Sequence, residues 1–214
     1  MLGNVIAIVL SYLLGAVPTG IVAGRLLKGI DIREYGSGKI GATNVLRTVG
    51  VKPAAVVFVF DIGKAAAAVF IAKALGEALY VEALAGGAAV AGHNWSIFLG
   101  FTGGRGVTPS IGGLFAMVPV WTAIALGVGV LVIAVTRLVS LGSLTGVTVA
   151  AVALLALACA GNEPWEYVGY AGAVGAIIYL QHWDNIQRLL QGRERKLGEG
   201  GERRASPERP GGVE

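Results

Sequence analysis

The chain has 214 residues, 55% of them apolar and only 14% charged, with a formal net charge of +4 and a mean hydropathy of +0.71. A water-soluble domain usually carries about a quarter charged residues, so this balance excludes a soluble globular domain. With the few bases spread along an apolar chain, nothing points to a nucleic-acid partner.

Taken in chain order, the apolar runs fall at roughly 3–27, 53–75, 79–99, 107–137, 141–160 and 164–181. Uncharged apolar runs of roughly 18 or more residues read as membrane spans, and an all-α, polytopic helix bundle is expected. Met1 to Gly24 holds no Lys or Arg. The positive leading region of a signal peptide is missing, so this segment is expected to be a retained span with its N-terminus outside. The link 28–52 carries Lys28, Arg33, Lys39, Arg47 and Lys52 against Asp31 and Glu34, which places it in the cytoplasm. The link 76–82 has acids and no base and is expected outside; the link with Arg105 returns to the cytoplasm.

The run 107–136 is 30 residues without a charge. At about 1.5 Å per residue it makes about 45 Å of helix, long for one span and short for two. Pro119 is the expected turn between two short helices. Arg137 then lies in the cytoplasm, the acidic 161–166 outside, and the basic C-terminal segment in the cytoplasm. The chain thus reads as one transmembrane domain over 1–192 with about seven membrane helices. A Gly-, Pro- and charge-rich tail, 193–214, is expected to be disordered. Cys159, alone in an apolar run, reads as a small buried hydrophobe.

This threading gathers four polar clusters at the cytoplasmic face: "EYGSGKIGATNVLR" (34–47), "GHNWSIFLGFTGGRGV" (92–107), "TRLVSLGS" (136–143) and "QHWDNIQRLL" (181–190). Glycines let backbone N–H groups close around an anion, and Arg105 adds a fork suited to phosphate. The first cluster repeats the theme with Ser37, Lys39, Thr43, Asn44 and Arg47. His182 and Asn185 share a helix face, and His93 precedes the glycine loop. Asp61 and Lys64, three apart inside the second helix, are expected to pair. The chain offers no carboxylate cluster, Cys pair or zinc-type His spacing, so neither metal nor cofactor is expected.

These four motifs, in this order on a small multispan chain, resemble the bacterial acyl-phosphate:glycerol-3-phosphate acyltransferases over Leu10 to Lys196. The resemblance implies transfer of a fatty acyl group from acyl phosphate to glycerol 3-phosphate, giving lysophosphatidic acid, in a bacterial inner membrane with the active site facing the cytoplasm. It also implies a soluble enzyme that supplies acyl phosphate. Motif by motif, it assigns catalysis to Ser37, Arg47, His182 and Asn185. It ties Gly103, Gly104, Gly106, Ser140 and Ser143 to substrate binding, and the chemistry of the polar clusters adds Lys39, Thr43, Asn44, His93 and Arg105 as candidate substrate-binding residues. The family pattern usually has Asn at position 39, Lys at 105 and Arg at 181, so Lys39 and Gln181 together look like a charge moved between loops. The candidate base is His182 or a substrate phosphate oxygen. Two other readings fit the basic pocket: a transporter for a phosphorylated solute, and an inactive relative that only binds lipid phosphate.

Overall fold

The computed structural model describes residues 2–75 and 78–204. Among these are ten α-helices and two short 3-10 turns, and no strand longer than an isolated bridge. The helices are α1 (Leu2–Ala16), α2 (Thr19–Lys28), α3 (Ala42–Thr48), α4 (Val51–Ala74), α5 (Leu79–Asn94), α6 (Val107–Met117), α7 (Pro119–Thr136), α8 (Val139–Cys159), α9 (Trp165–Gln181) and α10 (Trp183–Leu190). Four stretches are long and apolar enough to cross a membrane: Leu2–Lys28, which Pro18 divides into α1 and α2, then Val51–Ala74, Pro119–Thr136 and Val139–Cys159. The link 76–82 falls partly outside the described residues. Its Glu82 is not a solvated loop acid but is buried in α5, 3.6 Å from Lys73 and bonded by the Tyr167 hydroxyl at 2.7 Å.

The bundle is inside-out relative to a soluble protein. Large apolar side chains such as Val5, Val9, Phe60, Phe70, Leu131, Val135 and Val152 are exposed, while Asp61, Lys64, His93, Ser140 and Asn185 are buried. That is the arrangement lipid demands, with polar groups turned inward. Small residues bring the helices close. Gly15 and Gly92 join α1 to α5, where a Cβ would meet the partner's backbone at Ala89 and Tyr12. Gly112 does the same for α6 against Ile62 of α4, and Gly129, Gly142 and Gly146 for α7 against α8. Cys159, expected to be buried, is exposed on the last turn of α8, one of many small groups on the apolar exterior.

The run 107–136 breaks where Pro119 predicts. α6 ends at Met117, Val118 leaves the helical region at φ −138° and ψ 70°, and Pro119 opens α7 at its first turn. Lys73, at the far end of α4, donates to the Ala116 carbonyl at 2.6 Å, so α6 descends alongside α4 and α7 returns. The segments 28–52, 94–107, 136–143 and 181–204 therefore share one end of the bundle. The tail departs from its expected disorder. Residues 193–204 are seated on this end, with Leu197 and Arg137 exchanging hydrogen bonds and Arg203 bridging to Tyr35 and pairing with Glu34 at 2.9 Å. Composition alone hid this, because these contacts are made by backbone groups and arginines to distant loops. The rest of the tail lies outside the described residues.

Candidate active site

At the shared end a cavity of about 230 Å³ opens among α3, α6, α7, α8, α10 and the loops between them. Its mouth is polar: Ser37, Lys39, Thr43, Asn44, Arg47, His93, Arg105, Gly106, Ser140, Ser143, His182, Asn185 and Glu194 all border it. A second arm runs between α6, α7 and α8 past Ile111, Leu126, Gly129, Ile133, Val147 and Ala150. One cavity thus joins a cationic mouth to an apolar slot.

Ser37 is held by a loop that Asn44 organises. Asn44 Oδ1 accepts from the Ser37 N–H at 3.0 Å, and its Nδ2 donates to the carbonyls of Ile32, Lys39 and Tyr35 at 2.9, 2.9 and 3.2 Å. Its amide is engaged by the loop backbone, so Asn44 shapes this wall of the cavity. Gly36 and Gly38 have φ of +55° and +72°, which favours glycine. The tail packs on them: Arg195 donates to the Gly36 carbonyl at 3.1 Å, and a Cβ on Gly38 would meet the Arg204 guanidinium. Lys39 donates to Gln181 at 3.4 Å, so the two positions read as a displaced charge do touch.

The glycine loop divides its work. Gly106, at φ +84°, starts α6 and borders the cavity. Gly103 and Gly104 are buried against the last turn of α5, and the Gly104 N–H donates to the His93 carbonyl at 3.0 Å. That amide is spent within the fold, which holds the loop that carries Arg105. On the other wall, His182 caps α9 with Nδ1 2.8 Å from the Ile178 carbonyl.

Sequence reasoning missed Glu194. Its carboxylate accepts from Ser140 at 3.0 Å, from Arg188 at 2.8 Å and from Asn185. The signal available was only one acid in the basic run "GRERK". Burial pushes its carboxyl up, but hydrogen bonds from Asn185, Arg188 and Ser140 outweigh this and hold it below the usual carboxylate range. Its bracing is therefore present above about pH 4.5 and lost as pH falls through the depressed value.

The remaining charges are in excess of their partners. Burial, then the cations around it, lowers Arg105 to about 10. Burial and Arg195 lower Arg47; burial and Arg105 lower Lys39. His182 falls to about 4, from burial and then Arg105, and is neutral at pH 7. Arg47 Nε, Arg105 Nε and Asn185 Oδ1 are buried with no hydrogen-bond partner among the described residues. A multiply charged anion with several oxygens offsets the cationic crowding and accepts from Arg47 Nε and Arg105 Nε, whereas Asn185 Oδ1, an acceptor, calls for a donor such as a hydroxyl. No group of three metal-ligating side chains occurs among the described residues.

Comparison with known proteins agrees with this chemistry. A family described as glycerol-3-phosphate acyltransferase matches residues 5–192. A glycerol-3-phosphate acyltransferase of Synechococcus sp. (strain CC9902) is 44% identical over 202 residues, covering 94% of this chain and 98% of that one. The crystal structure of PlsY (YgiH), an integral membrane glycerol 3-phosphate acyltransferase, in its glycerol 3-phosphate form superposes with a TM-score of 0.84 at 37% identity, over 92% of this chain and 96% of that one. Its lysophosphatidic acid form gives 0.81 at 36%, over 91% and 95%.

Proposed function

Because the chain belongs to the glycerol-3-phosphate acyltransferase family, we propose that it transfers a fatty acyl group from acyl phosphate to the sn-1 hydroxyl of glycerol 3-phosphate. The observation that carries this is one cavity joining arginines, whose buried Nε atoms have no hydrogen-bond partner among the described residues, to an apolar slot. Two phosphates need cations side by side, and an acyl chain needs a dry groove opening from the same point.

In this reading Arg47, Arg105 and Lys39 hold phosphate charge, while Ser37, Ser140, Ser143, Thr43 and Asn185 orient the two substrates. The glycerol hydroxyl oxygen attacks the carbonyl carbon of the mixed anhydride. The carbon–oxygen bond to phosphate then breaks, inorganic phosphate leaves, and the hydroxyl proton passes to His182 or to a substrate phosphate oxygen. Acyl phosphate is already activated, so positioning and charge stabilisation suffice. The test is direct: purified protein, palmitoyl phosphate and labelled glycerol 3-phosphate, assayed for lysophosphatidic acid. No product from folded protein sinks the reading.

The same proposal places residues 1–192 as one transmembrane domain of seven spans in a bacterial inner membrane. Its N-terminus is outside, and its mouth and C-terminus are in the cytoplasm, where a soluble enzyme supplies acyl phosphate. The basic residues at the mouth end support this orientation. A reporter fused to the C-terminus is expected to read as cytoplasmic, and a periplasmic signal overturns the threading. The apolar slot sets chain length: Ala150→Phe is expected to lower kcat/KM for palmitoyl relative to octanoyl phosphate by about tenfold, the effect of about two lost methylene contacts at about 0.8 kcal/mol each. An unchanged ratio removes the slot from acyl binding.

A further inference from the structure

Asp61 and Lys64 pair at 2.9 Å, as expected from their spacing, but the pair does not stand alone. The Lys64 ammonium has three N–H bonds and three acceptors in reach: Asp61 Oδ1, the Val17 carbonyl at 3.2 Å and His93 Nδ1 at 3.0 Å. Asp61 Oδ1 also accepts from the Thr19 hydroxyl at 2.7 Å. It lies 3.6 Å from His93 Nδ1, beyond hydrogen-bond range. An ammonium has no lone pair, so Nδ1 is the acceptor and the ring proton sits on Nε2. The Nε2 edge is the one that abuts Gly104, and His93 borders the cavity together with Arg105 and Gly106.

We propose that His93 donates a hydrogen bond from Nε2–H to an anionic substrate oxygen held at the glycine loop, and that Lys64, braced by Asp61, is the positioning residue that sets this tautomer. The proposal rests on the acyltransferase reading. The oxygen is either on the donor phosphate or on the carbonyl where charge develops; both want a fixed donor aimed before reaction. A buried ion pair is weak evidence of stability by itself, but a device that directs one proton accounts for all three Lys64 bonds.

The test labels histidine with nitrogen-15 and reads the tautomer by long-range proton–nitrogen correlation in detergent micelles, with His182→Gln used to assign the two rings. Wild-type His93 is expected as the Nε2–H form. The Asp61→Asn/Lys64→Met double variant, which leaves no unpaired buried charge, is expected to show mixed tautomers and a kcat lowered at least about tenfold, with KM changed less. His93→Gln, whose amide nitrogen reaches the Nε2 position, is expected within about tenfold of wild type. His93→Asn, whose nitrogen stands at Nδ1, should lose about 10²–10³-fold in kcat, the effect of one missing donor. An Nδ1–H ring in wild type, equal rates for the two amides, or wild-type kcat in the double variant overturns the proposal. Should an amide variant not fold, tautomer and kcat of the double variant decide. A wild-type protein with the Nε2–H ring but no turnover overturns the acyltransferase reading, not the hydrogen-bond assignment.

Discussion

Arg47→Ala is expected to lower kcat/KM for lysophosphatidic acid formation by about 10³-fold or more while the helix bundle stays folded. Arg47 stands on the last turn of α3, and its Nε is buried without a hydrogen-bond partner among the described residues. Its guanidinium makes no hydrogen bond among the described residues, and the attraction of Glu194 and Glu199 is opposed by burial and by Arg195 and Arg188. Removing it gives up the attraction of Glu194 and Glu199 but also the repulsion of Arg195 and Arg188 and the cost of burial, so thermal stability should hold. In turnover, one charge-assisted donor at a reacting phosphate is worth about 10²–10³-fold, and Arg supplies two in a fixed fork. Arg47→Lys keeps charge but not the fork and should recover only part of the loss. Initial rates against both substrates, with a melting curve on the same sample, decide the matter. Full turnover in Arg47→Ala takes Arg47 out of the site.

The second large effect comes from Gly104. A Cβ there would run into the His93 imidazole, which is buried and held from its other edge by Lys64 at 3.0 Å. The ring cannot retreat, so in Gly104→Val the loop must move and take Arg105 with it. A misplacement of about 1 Å at a reacting group costs about 10²-fold, and that loss in kcat/KM is the expected result. Gly87→Ala is the control: a Cβ there has nothing within 4 Å, and activity should be unchanged. If the two variants behave alike, the loop is not a rigid support.

Much of this site was legible before any coordinates. The Pro119 break and the gathering of four polar clusters follow from charge placement and helix length, which local chemistry controls. Ser37, Arg47, Arg105, His182 and Asn185 do border one cavity; their individual roles remain the proposal above. What stayed hidden depends on partners distant in sequence. The four hydrogen bonds by which Asn44 organises the loop are not announced by any local pattern. Asp61 and Lys64 read as a closed pair because nothing local announces the third partner, His93. Glu194 and the seated tail were invisible because a Gly- and charge-rich segment looks alike whether it is solvated or docked through its backbone.

That seated tail also imposes an order on biogenesis. Gly36 and Arg195 touch across 159 positions of chain, so one wall of the pocket is made early and its cover last. At about 5–20 residues per second of synthesis, the interval is about 8–30 s. During that time the intervening helices enter the membrane while the cationic loop waits without Glu194 or Arg195. In the proposed reading the pocket is complete only as translation of this region finishes, and a chain truncated before α10 is expected to lack acyltransferase activity, which an assay of the truncated protein in membranes checks.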